Sequence, residues 1–129
     1  MPSPSGLLFT KEHEWVKIEG DAATVGITDY AQSSLGDIVY VEMPKPGSAV
    51  QQSQAMGVVE SVKAVSDVYA PLSGTVSQVN GRVEDDPAKV NADPYGEGWL
   101  VKMRMSDPGQ SKSLLDSAAY DDLLQAQGR

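Results

Sequence analysis

The chain of 129 residues contains no cysteine, a single histidine and a single phenylalanine. Without a thiol there is no disulfide framework, no thiolate metal site and no cysteine nucleophile. His13 stands between Glu12 and Glu14, but adjacent residues rarely converge on one ion, and no second histidine or cysteine completes a ligand set. No metal site is expected; the same scarcity disfavours a Ser-His-Asp centre and leaves His13 as a partly exposed turn residue. No apolar run approaches the length that spans a bilayer. Basic residues are few and scattered, 10 against 18 acidic ones, for a net charge of −8. That balance argues against nucleic acid, which needs clustered Lys and Arg, and suits encounters with proteins whose docking mouths are basic. The opening MPSPSGLL lacks a basic region ahead of an apolar stretch, so it reads as neither a signal nor a transit peptide. A cytoplasmic location is the expectation.

What is present reads as one domain over residues 1–129, with residues 1–6, carrying Pro2, Pro4 and Gly6, as a loose tail. Thr10 can cap a short turn through Lys11 to His13. Residues 14–19 alternate, with Trp15 opposite Val16 and Ile18. Gly20-Asp21 supplies a turn, and residues 22–27 return as the second strand of a hairpin. Thr28 and Gly36 bracket two helical turns over 29–35. Residues 37–43 form a strand with Ile38, Val39 and Val41 as buried candidates, broken by Pro44, Pro46 and Gly47. Residues 74–79 form another strand, ended by the turn signal Asn80-Gly81, and Glu84 to Pro87 reads as a solvated acidic loop. Gly96-Glu97-Gly98 opens a strand rather than a helix, so it is no phosphate loop. That strand runs over 99–105, with Trp99, Val101, Met103 and Met105 alternating against Leu100, Lys102 and Arg104. After a turn at Asp107-Pro108-Gly109, four-residue spacing from Ser113 onward (Leu115, Ala119, Leu123; Tyr120, Leu124) predicts an amphipathic helical segment.

Short strands separated by Gly and Pro suggest a mainly β fold, a sandwich or flattened barrel. There is an internal echo: Pro44-x-x-Gly47 precedes Val50 as Pro71-x-x-Gly74 precedes Val76. It fits two similar half-sheets folded against each other.

The chain is organised around residues 57–71, GVVESVKAVSDVYAP. β-Branched and aromatic residues on either side of Lys63, interleaved with Glu60, Ser61, Ser66 and Asp67, predict two strands joined by a tight turn. A lysine at that turn keeps its amine in solvent on a flexible stem, where it can be modified.

The words ESVKA and SDVYAP around Lys63 resemble the attachment hairpin of lipoyl-bearing proteins. Three longer stretches resemble the glycine cleavage system H-protein family in one register. They are KEHEWVKIEGDAATVGITDYAQSSLGDIVYVEMPKPGSAV over 11–50, NADPYGEGWLVKM over 91–103, and SLLDSAAYDDLL over 113–124. Biotin carriers typically flank their lysine with methionines, where this chain has Val62 and Ala64. Lipoyl domains of acyltransferases usually place an acid directly before it and lack the EHEW and PYGEGW segments.

The resemblance implies a flattened β-sandwich or barrel of the lipoyl/biotinyl-carrier type, with short helices and a C-terminal helical segment. It implies lipoic acid in amide linkage to Lys63, and a non-catalytic carrier. The partners implied are the glycine-decarboxylating P-protein, which loads an aminomethyl group, the aminomethyl-transferring T-protein, and the L-protein, a dihydrolipoamide dehydrogenase. Lipoate-attaching enzymes complete that set, and nothing demands more than a monomer. The family's arm-holding groove implies roles for Glu14 and Asp67, with Glu12 a third acid. The alternative is a carrier relaying lipoyl or octanoyl groups in another lipoate-dependent pathway.

Overall fold

The computed structural model describes residues 3–127. Among the described residues, nine strands form two antiparallel sheets. In chain order the elements are β1 (Leu8–Phe9), β2 (Glu14–Glu19), β3 (Ala22–Ile27), α1 (Asp29–Leu35), β4 (Ile38–Glu42), β5 (Ala49–Val50), β6 (Ala55–Ser61), β7 (Val65–Tyr69) and β8 (Gly74–Val79). There follow α2 (Gly81–Asp85), α3 (Ala88–Ala92), β9 (Val101–Met105), a 3₁₀ segment (Pro108–Ser113) and α4 (Ser117–Ala126). The larger sheet has the order β1-β2-β3-β9-β8-β5 and the smaller β4-β6-β7. The mainly β, sandwich-like fold predicted from the strand pattern is present, and the sheets do not close into a barrel.

The alternation along each strand decides where the core lies. Val16, Val25, Val76 and Met103 from the large sheet and Val59 and Val68 from the small one are all fully buried in one cluster. Burying each such side chain contributes about 1.5–3 kcal/mol. Trp15, on the other face of β2 from Val16, belongs to a second cluster with Phe9 and Tyr120. Its indole lies across Gly26, its partner on β3, and donates to the Pro94 carbonyl at 2.9 Å. A Cβ at Gly26 would stand 2.6 Å from the Trp15 ring nitrogen, so only glycine leaves room for the ring. Thr28 caps α1 through the Ala31 amide, and Gly36, at φ 85°, ends it.

Several sequence expectations change. Val39 is 54 % exposed, because the pairing of β4 with β6 shifts register between Ile38 and Tyr40. Such a bulge adds a residue to one strand and turns side chains outward that alternation would bury. Asn80-Gly81 is no hairpin turn. The Asn80 side chain is buried, accepts from the Arg82 amide as the N-cap of α2, and donates to the carbonyls of Glu97 and Trp99. The acidic stretch 84–87 is a loop only in part: Glu84 and Asp85 end α2, Asp86-Pro87 link it to α3, and each helix sinks one valine, Val83 and Val90, into the core. The last strand starts at Val101. Leu100, expected on the outer face, is fully buried, since its amide already pairs with the Val25 carbonyl at the end of the ladder.

The two echoing segments lie side by side rather than on opposed half-sheets. β5 pairs with β8, Val50 opposite Gly74, and the Gly47 amide donates to the Val76 carbonyl at 2.7 Å. Of the expected N-terminal tail, Met1 and Pro2 lie outside the described residues. Ser3 donates from its amide and its hydroxyl to the Asp121 carboxylate of α4.

Candidate functional site

Lys63 occupies the apex of the β6–β7 hairpin, whose register pairs Val58 with Asp67, Val59 with Ser66 and Glu60 with Val65. Val59 and Val68 anchor the inner face of this hairpin in the core. Its outer face shows Glu60, Val65 and Asp67 to solvent. The apex is fixed by its own backbone. The Ser61 amide donates to the Ala64 carbonyl at 2.8 Å, and the Ser61 hydroxyl oxygen accepts from the amides of Lys63 and Ala64. One further bond ties the tip to the body of the molecule, from the Val62 amide to the Asp37 carbonyl at 3.1 Å.

The Lys63 side chain is exposed between Val62 and Val65, themselves 70 % and 68 % exposed. Its stem passes Gly36, where a Cβ would stand 3.5 Å from the lysine Cε. Among the described residues the ion pairs are Lys89–Glu97 and Arg104–Asp21, and Lys63 belongs to neither.

At the far end of β7 lies a groove of about 630 Å³, within the range of small-molecule sites. Four stretches build it: residues 9–12 with Glu14, Gln52 and Ser53, Tyr69 to Pro71, and residues 113–115. Glu14, the first residue of β2, lies in it only 1 % exposed. One carboxylate oxygen accepts from the Thr10 hydroxyl at 2.5 Å and the other from the Tyr69 amide at 3.1 Å. Burial pushes its carboxyl up to about 7; those two hydrogen bonds pull the other way, and the charge of Glu12 adds to the rise.

The three acids read from the sequence are therefore placed differently. Glu14 and Glu12 line the groove, Glu12 at its exposed rim. Asp67 does not line it; it stands exposed on the outer face of the hairpin, between Lys63 and the groove along β7. Lys63 lies outside the groove as well. Thr10 is legible in the sequence only as a cap, a role seen in its bond from the Glu12 amide, and it also holds the Glu14 carboxyl. Gln52, which bridges the Pro71 carbonyl and the Ser113 hydroxyl, carries no local signal at all. His13 sits in the left-handed region at φ 71°, with Nδ1 2.7 Å from the Tyr120 hydroxyl and its ring tilted over Tyr30.

The family model for the glycine cleavage H-protein matches residues 7–127. A protein of Methylacidiphilum infernorum named glycine cleavage system H protein is 53 % identical over 97 % of this chain and 98 % of its own length. One of the same name from Rubrobacter xylanophilus is 60 % identical over 81 % and 82 % of the two chains. The crystal structure of a glycine cleavage system H protein from Mycobacterium marinum superposes with a TM-score of 0.86 at 38 % identity, covering 98 % of this chain and 99 % of that one. With nearly the whole length matched in sequence and in fold, the chain belongs to the glycine cleavage H-protein family.

Proposed function

We propose that the protein is the lipoylated carrier of a glycine cleavage system, with lipoic acid in amide linkage to Lys63. The observation that carries this reading is an exposed lysine on a turn whose backbone amides are all engaged, in a chain of this family. The residues fit the group. The amine is free of ion pairs among the described residues, the tip is stiff, and the exposed valines beside it offer apolar surface to a hydrocarbon chain. When attached, lipoic acid supplies a disulfide that can be reduced and can carry an aminomethyl group between active sites.

The chain's own residues do the rest. The hairpin holds the attachment point still while the arm moves, which raises the arm's effective concentration at each docked enzyme. Lysine stem plus lipoyl chain reach roughly 14 Å at standard bond lengths. Asp67 lies four residues along from Lys63, roughly 13 Å on an extended strand and within that reach. The groove opens at Tyr69, roughly 20 Å along, so it is the cargo carried beyond the arm's own length that comes to its mouth. Glu14, buried and without a basic partner among the described residues, offers a carboxyl to a protonated amine. Glu12 and Asp67 add negative charge at the rim and along the approach, and the walls of the groove exclude water from a hydrolysable cargo. The partners are the P-protein, the T-protein, the L-protein and the enzymes that attach lipoate; the chain itself catalyses no step.

The test is intact-mass analysis with peptide mapping of the natively produced protein, followed by glycine decarboxylation reconstituted with the purified partner enzymes. The expected result is a lipoyl mass increment on Lys63, with both the increment and turnover lost in Lys63→Arg. Full turnover by Lys63→Arg would overturn the reading.

A further inference from the structure

Tyr120 touches the Glu14-bearing turn at both of its shoulders. Its ring stacks on Phe9, centroids 4.7 Å apart and planes 9° from parallel, immediately before Thr10. Its hydroxyl reaches His13 Nδ1 at 2.7 Å, immediately before Glu14. The same hydroxyl is 2.8 Å from Thr28 Oγ1, the cap of α1. Between these shoulders the turn closes on itself: the Thr10 amide donates to the Glu14 carbonyl at 2.9 Å, and the Glu14 amide donates to Thr10 Oγ1 at 3.1 Å. His13 holds a left-handed backbone there, a conformation sparsely populated by non-glycine residues that persists where the surroundings over-determine it. Phe9 is held from the other side by a pair of backbone bonds with Leu115, at 2.7 and 2.8 Å, just ahead of α4.

We infer that Tyr120 is a positioning residue for the groove: through His13 its hydroxyl fixes the turn that keeps the Glu14 carboxyl buried between Thr10 and Tyr69. Helix α4 is thereby a working part of the arm-holding site, although none of its residues lines the groove. The inference rests on the proposed function only for what the groove holds; the placement of Glu14 can be measured on the protein alone.

Removing the hydroxyl while keeping the ring isolates the contact. In Tyr120→Phe the stack on Phe9 survives and the bonds to His13 and Thr28 do not. A loosened turn admits water to the Glu14 carboxyl, and since burial is the largest cause of its raised pKa, the midpoint must fall. The experiment is carbon-13 NMR titration of the glutamate carboxyls in the full chain from about pH 5 to about pH 9, Glu14 being assigned through Glu14→Gln. The expected result is a Glu14 midpoint about one pH unit lower in Tyr120→Phe. His13→Asn, which tolerates the left-handed backbone but cannot span to the Tyr120 hydroxyl, gives the same change by the other side of the contact. Ala118→Gly weakens α4 at an exposed position outside the Phe9–Tyr120 cluster and leaves the midpoint in place. An unchanged midpoint in a folded Tyr120→Phe or His13→Asn overturns the inference, as does an equal fall in Ala118→Gly. On the lipoylated protein, Tyr120→Phe shortens the lifetime of the loaded group several-fold. If mass analysis finds no loaded group on the unmutated chain, the proposed function fails while the titration still decides the role of Tyr120.

Discussion

The Tyr69 amide donates to the Glu14 carboxylate at 3.1 Å, joining the first residue of β2 in the large sheet to the last residue of β7 in the small one. One carboxyl thus serves as a bond between the sheets and as the most deeply buried acid of the groove. The chain segment that ends in this contact begins at Lys63, so the exposed lysine and the groove are spaced by a single strand.

The burial of Glu14 has a signed effect on stability. Its carboxyl titrates at about 7 in the native protein against 4.5 for the ordinary group. The folded state therefore holds the proton more tightly, and this contribution is fully present below pH 4.5 and lost as pH rises to 7. The loss amounts to about 3 kcal/mol, since each tenfold gain in proton affinity corresponds to about 1.4 kcal/mol. Denaturant unfolding of Glu14→Gln and the unmutated chain at both ends of that window should show the mutant gaining relative stability as pH rises. A pH-independent difference between them would rule out the buried carboxyl as described.

Ser61→Ala removes the hydroxyl that receives the Lys63 and Ala64 amides while leaving the core of the hairpin untouched. The expected cost is about 1 kcal/mol, the net worth of a hydrogen bond of this kind. Amide exchange at Lys63 and Ala64 should accelerate well ahead of exchange at Val59. Uniform acceleration along both strands would mean that the turn does not act as a separate unit.

Gly26→Ala should destabilise by about 1–3 kcal/mol, the usual cost of overfilling a packed site, because the new methyl would overlap the Trp15 indole. Tryptophan fluorescence should shift as the ring is displaced. An unshifted spectrum and an unchanged melting temperature would show that the ring has room to spare.

Lys63→Arg should leave stability within about 0.5 kcal/mol of the parent, as expected for an exposed side chain. The comparison separates loss of attachment from loss of fold. A clear drop in thermal midpoint would mean that the lysine stem packs against Gly36 more firmly than its exposure allows.

Much of the architecture is legible in the sequence because its signals are local. The hairpin over 14–27, α1 with Thr28 and Gly36 at its ends, and the strands flanking Lys63 each follow from period-two alternation or a capping residue. Failures arise where a local signal has two meanings. Asn-Gly after a strand reads as a turn, yet a buried Asn80 with carbonyls to satisfy makes it a helix cap. α2 and α3, five residues each, are too short for periodicity to show, and each has a single buried valine as its only mark. Val39 follows alternation until a bulge in the partner register overrides it. Of the candidate site, the turn and the exposure of Lys63 can be read directly, because the flanking strands alternate up to the tip. The groove cannot: Gln52 and Ser113 meet across 61 residues of chain, and no segment alone encodes that meeting.

The rims of the sheets have a bearing on how the protein behaves in company. β1 and β5, which end the larger sheet, are two residues long, and β1 is already bridged to Leu115 through Phe9. On β7, at the border of the smaller sheet, the Tyr69 amide is taken by a carboxylate instead of facing outward for a strand. At these places a neighbouring chain finds little backbone to zip onto, one way in which β-rich proteins avoid sticking to one another; the five-residue β4 is the longer edge that remains. A carrier of this family gains from this, because encounters made through side chains release more readily than strand addition does.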